Sequence, residues 1–156
     1  NPSWLYSVDQ GATTIWERWD SYTKEGGFNK HPWIMNSFNH YAYGAIGEWM
    51  YRAMAGIEAD PEHPGFKHAI LYPRIGGNLK YTAGKYHSIY GDVGVKWEVQ
   101  GKQITLTVQV PVNTTAEIRL DQAKAVLESD GLTFAREADY MAAEAGSGTY
   151  HIAFEQ

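Results

Sequence analysis

The sequence predicts a mainly β protein, in which a C-terminal antiparallel β-sandwich follows a short helical part. Two patterns support this fold class. Apolar residues recur at spacings of three and four between Ser37 and Ile57, and at every second position from residue 95 onward. The 156 residues are 44% hydrophobic and 20% charged, which is the composition of a globular chain. That length suits one domain, or one small domain with part of another.

The helical part is predicted over Ser37–Ile57, with Ser37 as its N-cap and Gly56 as its terminator. The apolar residues form one wide face and few residues on the other face are charged, so we expect this helix to be buried on most sides within a larger helical body. The last turns of another helix are predicted over Ser3–Val8. The stretch Gly11–Asn36 reads as a loop, because its aromatic residues follow no steady period.

Residues 58–65 contain two prolines and three acidic residues, and this composition predicts a linker. Beyond it the period falls to two, and turn signals separate seven or eight short strands. The expected strands cover residues 69–74, 79–90, 95–99, 104–110, 116–120, 125–128 and 149–154. The predicted domains are therefore a helical part over 1–57, a linker over 58–65 and a β-sandwich over 66–156.

Composition excludes several classes of function. The net charge of −5 argues against nucleic acid or an anionic membrane as a partner, and no apolar run approaches the ~20 residues of a membrane span. The chain has no cysteine, so it has neither a disulfide nor a thiolate nucleophile. His63 and His68 lie five apart and no HExxH occurs, so we expect no metal site. No nucleotide-binding motif is present either, and no cofactor is expected.

The densest group of reactive side chains lies in GATTIWERWD, residues 11–20. It places the carboxylates Glu17 and Asp20 and the cation Arg18 beside the indoles Trp16 and Trp19. Apolar walls around a carboxylate tune its pKa and stack on sugar faces, as a glycosidase requires. The alternative is a surface turn in which these charges only pair with each other.

His40 is the second candidate, close to Asn36 and Asn39 at the start of the predicted helix. A neutral imidazole and two amides can form hydrogen bonds with sugar hydroxyls. The alternative is a core histidine whose ring is satisfied by backbone carbonyls.

Two long strings then resemble a known family. GATTIWERWD and SFNHYAYGAIGEWMYRAMAGI, the latter over Ser37–Ile57, resemble the C-terminal part of bacterial α-L-rhamnosidases of glycoside hydrolase family 78. GKYHSIYGDVGVKWE, over Gly84–Glu98, is similar to the start of that family's C-terminal sandwich. The resemblance implies a catalytic (α/α)6 barrel followed by a β-sandwich. It also implies hydrolysis of terminal α-L-rhamnosyl residues with inversion.

The resemblance implies roles for individual residues. Glu17 matches the general base and His40 matches a histidine of the rhamnose subsite, while Trp16 and Trp19 would bind substrate nearby. The family's general acid lies upstream of this chain, and the chain begins Asn1-Pro2 without an initiator methionine. We therefore expect an incomplete part of a longer enzyme that is inactive alone, located in the bacterial cytoplasm or periplasm.

The expected partners are rhamnose-containing oligosaccharides or glycosides of the full-length protein, and a second copy of the chain through its exposed helical segment. Two other functions stay open for the sandwich, a carbohydrate-binding module and a purely structural domain. A module would use aromatic residues as a sugar platform. The candidates for such a platform are Tyr81, Tyr86, Tyr90 and Trp97. Strand alternation favours packing for these side chains, and hence the structural domain.

Overall fold

The structure is a computed structural model that describes residues 3–29 and 35–156. The chain forms two compact units, Asn1–Gly47 and Glu48–Gln156. The predicted fold class is confirmed, since two five-stranded sheets follow a short helical part. The domain boundaries predicted at residues 57 and 65 stay predictions. None of the helices in the described part of the chain is long and apolar enough to cross a membrane.

The first unit contains little regular structure. Helix α1 covers Trp4–Asp9, close to the predicted span, and a 3₁₀ helix covers Tyr41–Ala45. The stretch predicted as a loop contains a small antiparallel hairpin of β1, Tyr22–Thr23, and β2, Gly27–Phe28. Residues 30–34 of that stretch lie outside the described residues.

The predicted helix over Ser37–Ile57 begins later than expected and is not a single α-helix. After the 3₁₀ helix, α2 covers Ile46–Trp49 and a π-helix covers Met50–Ala55. Ser37 is not the N-cap, because its backbone N–H and C=O already pair with Glu17. The predicted terminator is confirmed, since Gly56 follows the π-helix in the left-handed conformation at φ +73°.

The second unit contains the β-sandwich. A one-turn 3₁₀ helix at Pro64–Phe66 precedes its second strand. The strands are β3 Ile57–Ala59, β4 His68–Leu71, β5 Tyr81–Ser88, β6 Gly91–Gln100, β7 Gln103–Val110, β8 Thr115–Asp121, β9 Ala125–Glu128, β10 Ala135–Arg136, β11 Tyr140–Ala145 and β12 Gly148–Glu155. The sheet orders are β10-β11-β8-β4-β3 and β5-β6-β7-β12-β9. Within the described residues, β4 and β8 are the one parallel pair, and the other pairs are antiparallel.

Alternate residues of both sheets form one hydrophobic core. Strand β7 shows the pattern clearly, because Ile104, Leu106 and Val108 are buried while the residues between them are not. Trp97 of β6 is 1% exposed and donates its indole N–H to the Met54 carbonyl at 2.8 Å. The core therefore depends on the period-two pattern from which the strands were predicted.

Three strands of the first sheet were not predicted, namely β3, β10 and β11. Strand β11 contains three alanines, which have low strand propensity, and packs through Ala143 and Ala145. Strand β3 covers residues assigned from the sequence to the helix and linker. Ile57 is buried and pairs with Leu71, so this short segment forms the edge strand of the sheet.

Gly56 is expected to tolerate no side chain. A Cβ there would lie 2.0 Å from the Pro73 nitrogen and 2.3 Å from the Tyr72 carbonyl carbon, and both are backbone atoms. Combined with the left-handed backbone, Gly56→Ala should lower the free energy of unfolding by about 3 kcal/mol or more. Gly101 is the matched control at φ +65° with open space around it, so Gly101→Ala should cost about 1 kcal/mol. Equal losses in urea denaturation would contradict this assignment.

The ion pair between Glu117 and Arg119 on β8 is expected to cause part of the loss of stability in acid. Arg119 donates two hydrogen bonds of 2.8 Å to Glu117, and they lower the pKa of that carboxyl although burial opposes the shift. A lowered carboxyl pKa stabilises the fold above the unfolded pKa, and this contribution is lost as the pH falls through the folded pKa. Glu117→Gln should therefore flatten the decline of Tm on acidification.

Asp121 on the same strand is the control for this titration. Burial raises the pKa of Asp121, so its ionisation cannot cause a loss of stability in acid. Asp121→Asn should leave the acid-side decline of Tm in place. A Glu117→Gln curve that runs parallel to wild type would refute the prediction.

Apolar side chains remain exposed along the helical elements. Tyr41 is 88% exposed, and Ile46, Trp49 and Met50 are each about half exposed. Exposed large apolar side chains are found at sites that another part of a protein, or a second protein, covers. The predicted self-association through this segment stays a prediction.

Candidate active site

The two motif segments predicted from the sequence meet in the first unit. Glu17 donates its backbone N–H to the Ser37 carbonyl at 2.8 Å, and His40 donates its own to the Ile15 carbonyl at 2.7 Å. The Ser37 N–H in turn donates to Glu17 Oε2 at 2.7 Å. Each irregular segment thus satisfies backbone groups of the other, which brings the candidate base and the candidate subsite histidine together.

One carboxylate oxygen of Glu17 is fixed by a hydrogen bond, and the other is free to accept a proton. Its side chain is 29% exposed, and Oε2 takes the Ser37 N–H in a charge-assisted hydrogen bond. Oε1 has no hydrogen-bond partner among the described residues. A carboxylate fixed in this way can accept a proton from a water molecule on its free side.

The His40 ring lies beside this carboxylate without bonding to it. Its Nδ1 atom is 4.0 Å from Glu17 Oε2, and the side chain is 34% exposed. The ring forms no hydrogen bond with the residues that the structure describes. A ring with a third of its surface exposed does not fit the alternative of a core histidine satisfied by carbonyls.

Glu17 opens into a cleft of about 340 Å³ with aromatic walls. The cleft is lined by Trp4, Glu17, Arg18, Trp19 and Tyr43. Trp19 was a predicted substrate-binding residue, and Trp4 and Tyr43 were not predicted. Tyr43 could have been predicted, because it follows the candidate His40 by three residues, the number in one turn of a 3₁₀ helix. No sequence signal connects Trp4 with residues 17–19, because tertiary packing alone brings helix α1 to the cleft.

Trp16 lies elsewhere, in an aromatic cluster of the same unit. Its ring is edge-on to Phe38 at 5.5 Å and to Tyr22 at 6.3 Å, and Phe28 contacts both of those rings. Such edge-to-face packing stabilises a small unit that has little regular structure. The predicted sugar contact of Trp16 stays a prediction, and its observed contacts are with other side chains.

The alternative interpretation of residues 11–20, a surface turn whose charges only pair with each other, applies to Asp20. Arg18 forms a two-point pair with it at 3.1 and 3.2 Å, and Asn29 donates to the same carboxylate at 2.8 Å. Glu17 takes no part in that pairing. The two carboxylates of the motif therefore have different environments, and the one that is not paired with Arg18 lines the cleft.

The four sandwich aromatics have different environments. Trp97 belongs to the core, whereas Tyr81, Tyr86 and Tyr90 are exposed. Tyr86 also packs on Phe66 with ring centroids 4.4 Å apart, and Tyr81 and Tyr90 each have a lysine near the ring. Within the described residues, no group of three His, Asp or Glu side chains could hold a metal ion.

A carboxylate in an aromatic-walled cleft, with helical and sandwich parts in one chain, is typical of a glycosidase. The comparisons with known proteins agree. Residues 1–54 match the bacterial alpha-L-rhamnosidase 6 hairpin glycosidase domain, and residues 56–134 match the bacterial alpha-L-rhamnosidase C-terminal domain. The chain belongs to the bacterial α-L-rhamnosidase family and corresponds to its C-terminal part, as the motifs predicted.

Individual relatives agree with this assignment. The chain is 43% identical over 154 residues to an α-L-rhamnosidase of Streptomyces avermitilis, and 50% identical over 119 residues to one of Formosa agariphila. These alignments cover 97% and 76% of this chain, but only 14% and 12% of the relatives. The crystal structure of the Streptomyces enzyme complexed with L-rhamnose matches 97% of this chain and 15% of its own, at a TM-score of 0.83 and 41% identity.

Proposed function

We propose that this chain is the C-terminal part of an inverting α-L-rhamnosidase and supplies the general base, Glu17. The observation that carries the proposal is the position of Glu17, half-buried in the aromatic cleft with one oxygen fixed and the other free. The family membership and the relatives named α-L-rhamnosidase support terminal α-L-rhamnosyl residues as the substrate.

An inverting hydrolysis requires two carboxyl groups on opposite sides of the scissile bond, about 6.5–9.5 Å apart. Glu17 takes a proton from the water that attacks the anomeric carbon, and the bond to the leaving group breaks as that group is protonated by the acid. Among the described residues, Glu17 is the one carboxylate that lines the cleft, and Asp20 is paired with Arg18. The acid is therefore supplied by the rest of the longer enzyme.

His40 takes part as a hydrogen-bonding residue of the sugar subsite. Its ring lies next to Glu17 and is partly exposed, and the two ring nitrogens form no hydrogen bond with the described residues. An imidazole can donate or accept a hydrogen bond according to its tautomer, which suits a sugar hydroxyl.

For the sandwich we propose a structural role. Of the four aromatics that a sugar platform would use, Trp97 is buried in the core, and Tyr86, although exposed, packs against Phe66. Strand alternation explains why Trp97 lies in the core, so no carbohydrate contact is needed to account for that position.

The test compares the longer enzyme with this chain on an aryl α-L-rhamnoside. We expect the longer enzyme to release β-L-rhamnose first, detected by proton NMR before mutarotation, and the 156-residue chain to release none above background. Turnover by the pure chain that Glu17→Gln abolishes would overturn the proposed incompleteness. Initial release of the α-anomer by the longer enzyme would overturn the inverting mechanism.

A further inference from the structure

The proximity of His40 to Glu17 does not by itself fix the imidazole. The 4.0 Å between Nδ1 and Oε2 exceeds the 2.7–2.9 Å of a charge-assisted N–H···O bond. Rotation about the second side-chain torsion of histidine is soft, so a ring without a hydrogen bond can present different edges to a ligand. Some other contact must hold this ring if it is to meet a sugar hydroxyl at a fixed angle.

Tyr43 supplies that contact. It follows His40 by three residues and lies on the 3₁₀ helix Tyr41–Ala45, of which His40 is the N-cap. The Tyr43 N–H donates to the His40 carbonyl at 3.3 Å. The two rings have centroids 5.0 Å apart and planes inclined at 53°, so the phenol ring forms a wall for the imidazole.

Trp4 in turn holds Tyr43. Their rings lie edge-to-face at 6.2 Å and 88°, the arrangement favoured by the charge distribution of aromatic rings. Trp4 and Tyr43 both line the cleft with Glu17. A row of contacts thus runs from helix α1 through Tyr43 to His40, whose Nδ1 atom lies 4.0 Å from Glu17 Oε2.

We propose that Tyr43 is a positioning residue that fixes the orientation of the His40 ring, with Trp4 as its support. The proposal rests on the proposed function, in which His40 contacts the sugar. The role belongs to the aromatic ring and not to the hydroxyl, which has no hydrogen-bond partner among the described residues. Tyr43→Phe should therefore preserve it and Tyr43→Leu should remove it.

The first test uses the 156-residue chain and NMR of the His40 ring protons. Tyr43→Phe should keep their ring-current shifts, and Tyr43→Leu should move them towards the values of a free histidine. Tyr41→Leu is the matched control, because Tyr41 lies on the same 3₁₀ helix and is almost fully exposed. Unchanged His40 shifts in folded Tyr43→Leu would overturn the proposal. Trp4→Leu gives a second variant, expected to shift both the Tyr43 and His40 rings.

The second test is kinetic and uses the longer enzyme. Tyr43→Leu should lower kcat/KM by roughly two- to tenfold, the effect expected from one aromatic contact, and mainly through KM. In a His40→Ala background it should have no further effect, because the two residues act through one contact. Additive losses would overturn the positioning role. If Glu17→Gln and His40→Ala leave the kinetics unchanged, the proposed function fails, while the NMR test still decides whether Tyr43 orients His40.

Discussion

Replacing Glu17 with Gln in the longer enzyme should lower kcat by about 10²–10⁴-fold, the contribution of general base catalysis. The amide keeps the size of the carboxylate and can still accept the Ser37 N–H that fixes its position. It cannot take a proton from water, however, so the chemical step should suffer while substrate binding changes far less. Steady-state kinetics on an aryl α-L-rhamnoside measures both quantities.

Asp20 is the internal control for this experiment. Its carboxylate is paired with Arg18 and Asn29 at an exposed position, and such pairs contribute about 0–1 kcal/mol. Asp20→Asn should therefore leave kcat close to wild type. An inactive Asp20→Asn enzyme beside a nearly unaffected Glu17→Gln enzyme would mean that the base is Asp20.

The sandwich was predictable where burial alternates strictly along a strand. Ile104, Leu106 and Val108 determine β7, because an apolar side chain at every second position can be buried on only one face. The alternation of apolar and polar residues gives only a weak signal in β11, because small alanines occupy its buried positions. The short β3 is fixed by its pairing with β4, which is a tertiary contact that local sequence does not report.

In the helical segment and the candidate site, too, local sequence determines some features, and contacts between residues far apart in the sequence determine others. Gly56 ends the segment as predicted, because the left-handed conformation is a local requirement. The start moves from Ser37 to Tyr41, because Glu17 competes for the Ser37 backbone from twenty residues away. Glu17 could be proposed from its motif, whereas Trp4 reaches the cleft through packing with Tyr43 that no spacing in the sequence indicates.

His40→Ala in the longer enzyme should lower kcat/KM by roughly ten- to a hundredfold. A buried sugar hydroxyl left without its hydrogen-bond partner costs about 1–3 kcal/mol, and each 1.4 kcal/mol corresponds to a factor of ten. A hydrogen bond made before and during the reaction should appear mostly in KM, whereas the loss in Glu17→Gln should appear in kcat. This contrast would distinguish the binding role proposed for His40 from the general-base role proposed for Glu17.

A histidine of the second unit controls for nonspecific effects of the substitution. His63 is more than half exposed, lies in the second unit and pairs with Asp60 at 2.6 Å, so His63→Ala should leave kcat/KM unchanged. Circular dichroism and Tm of the His40→Ala enzyme should match wild type, because a partly exposed ring without hydrogen bonds to the described residues contributes little to folding. Unfolding on substitution would mean that His40 is a structural histidine after all. Wild-type kinetics in a folded variant would place it outside the rhamnose subsite.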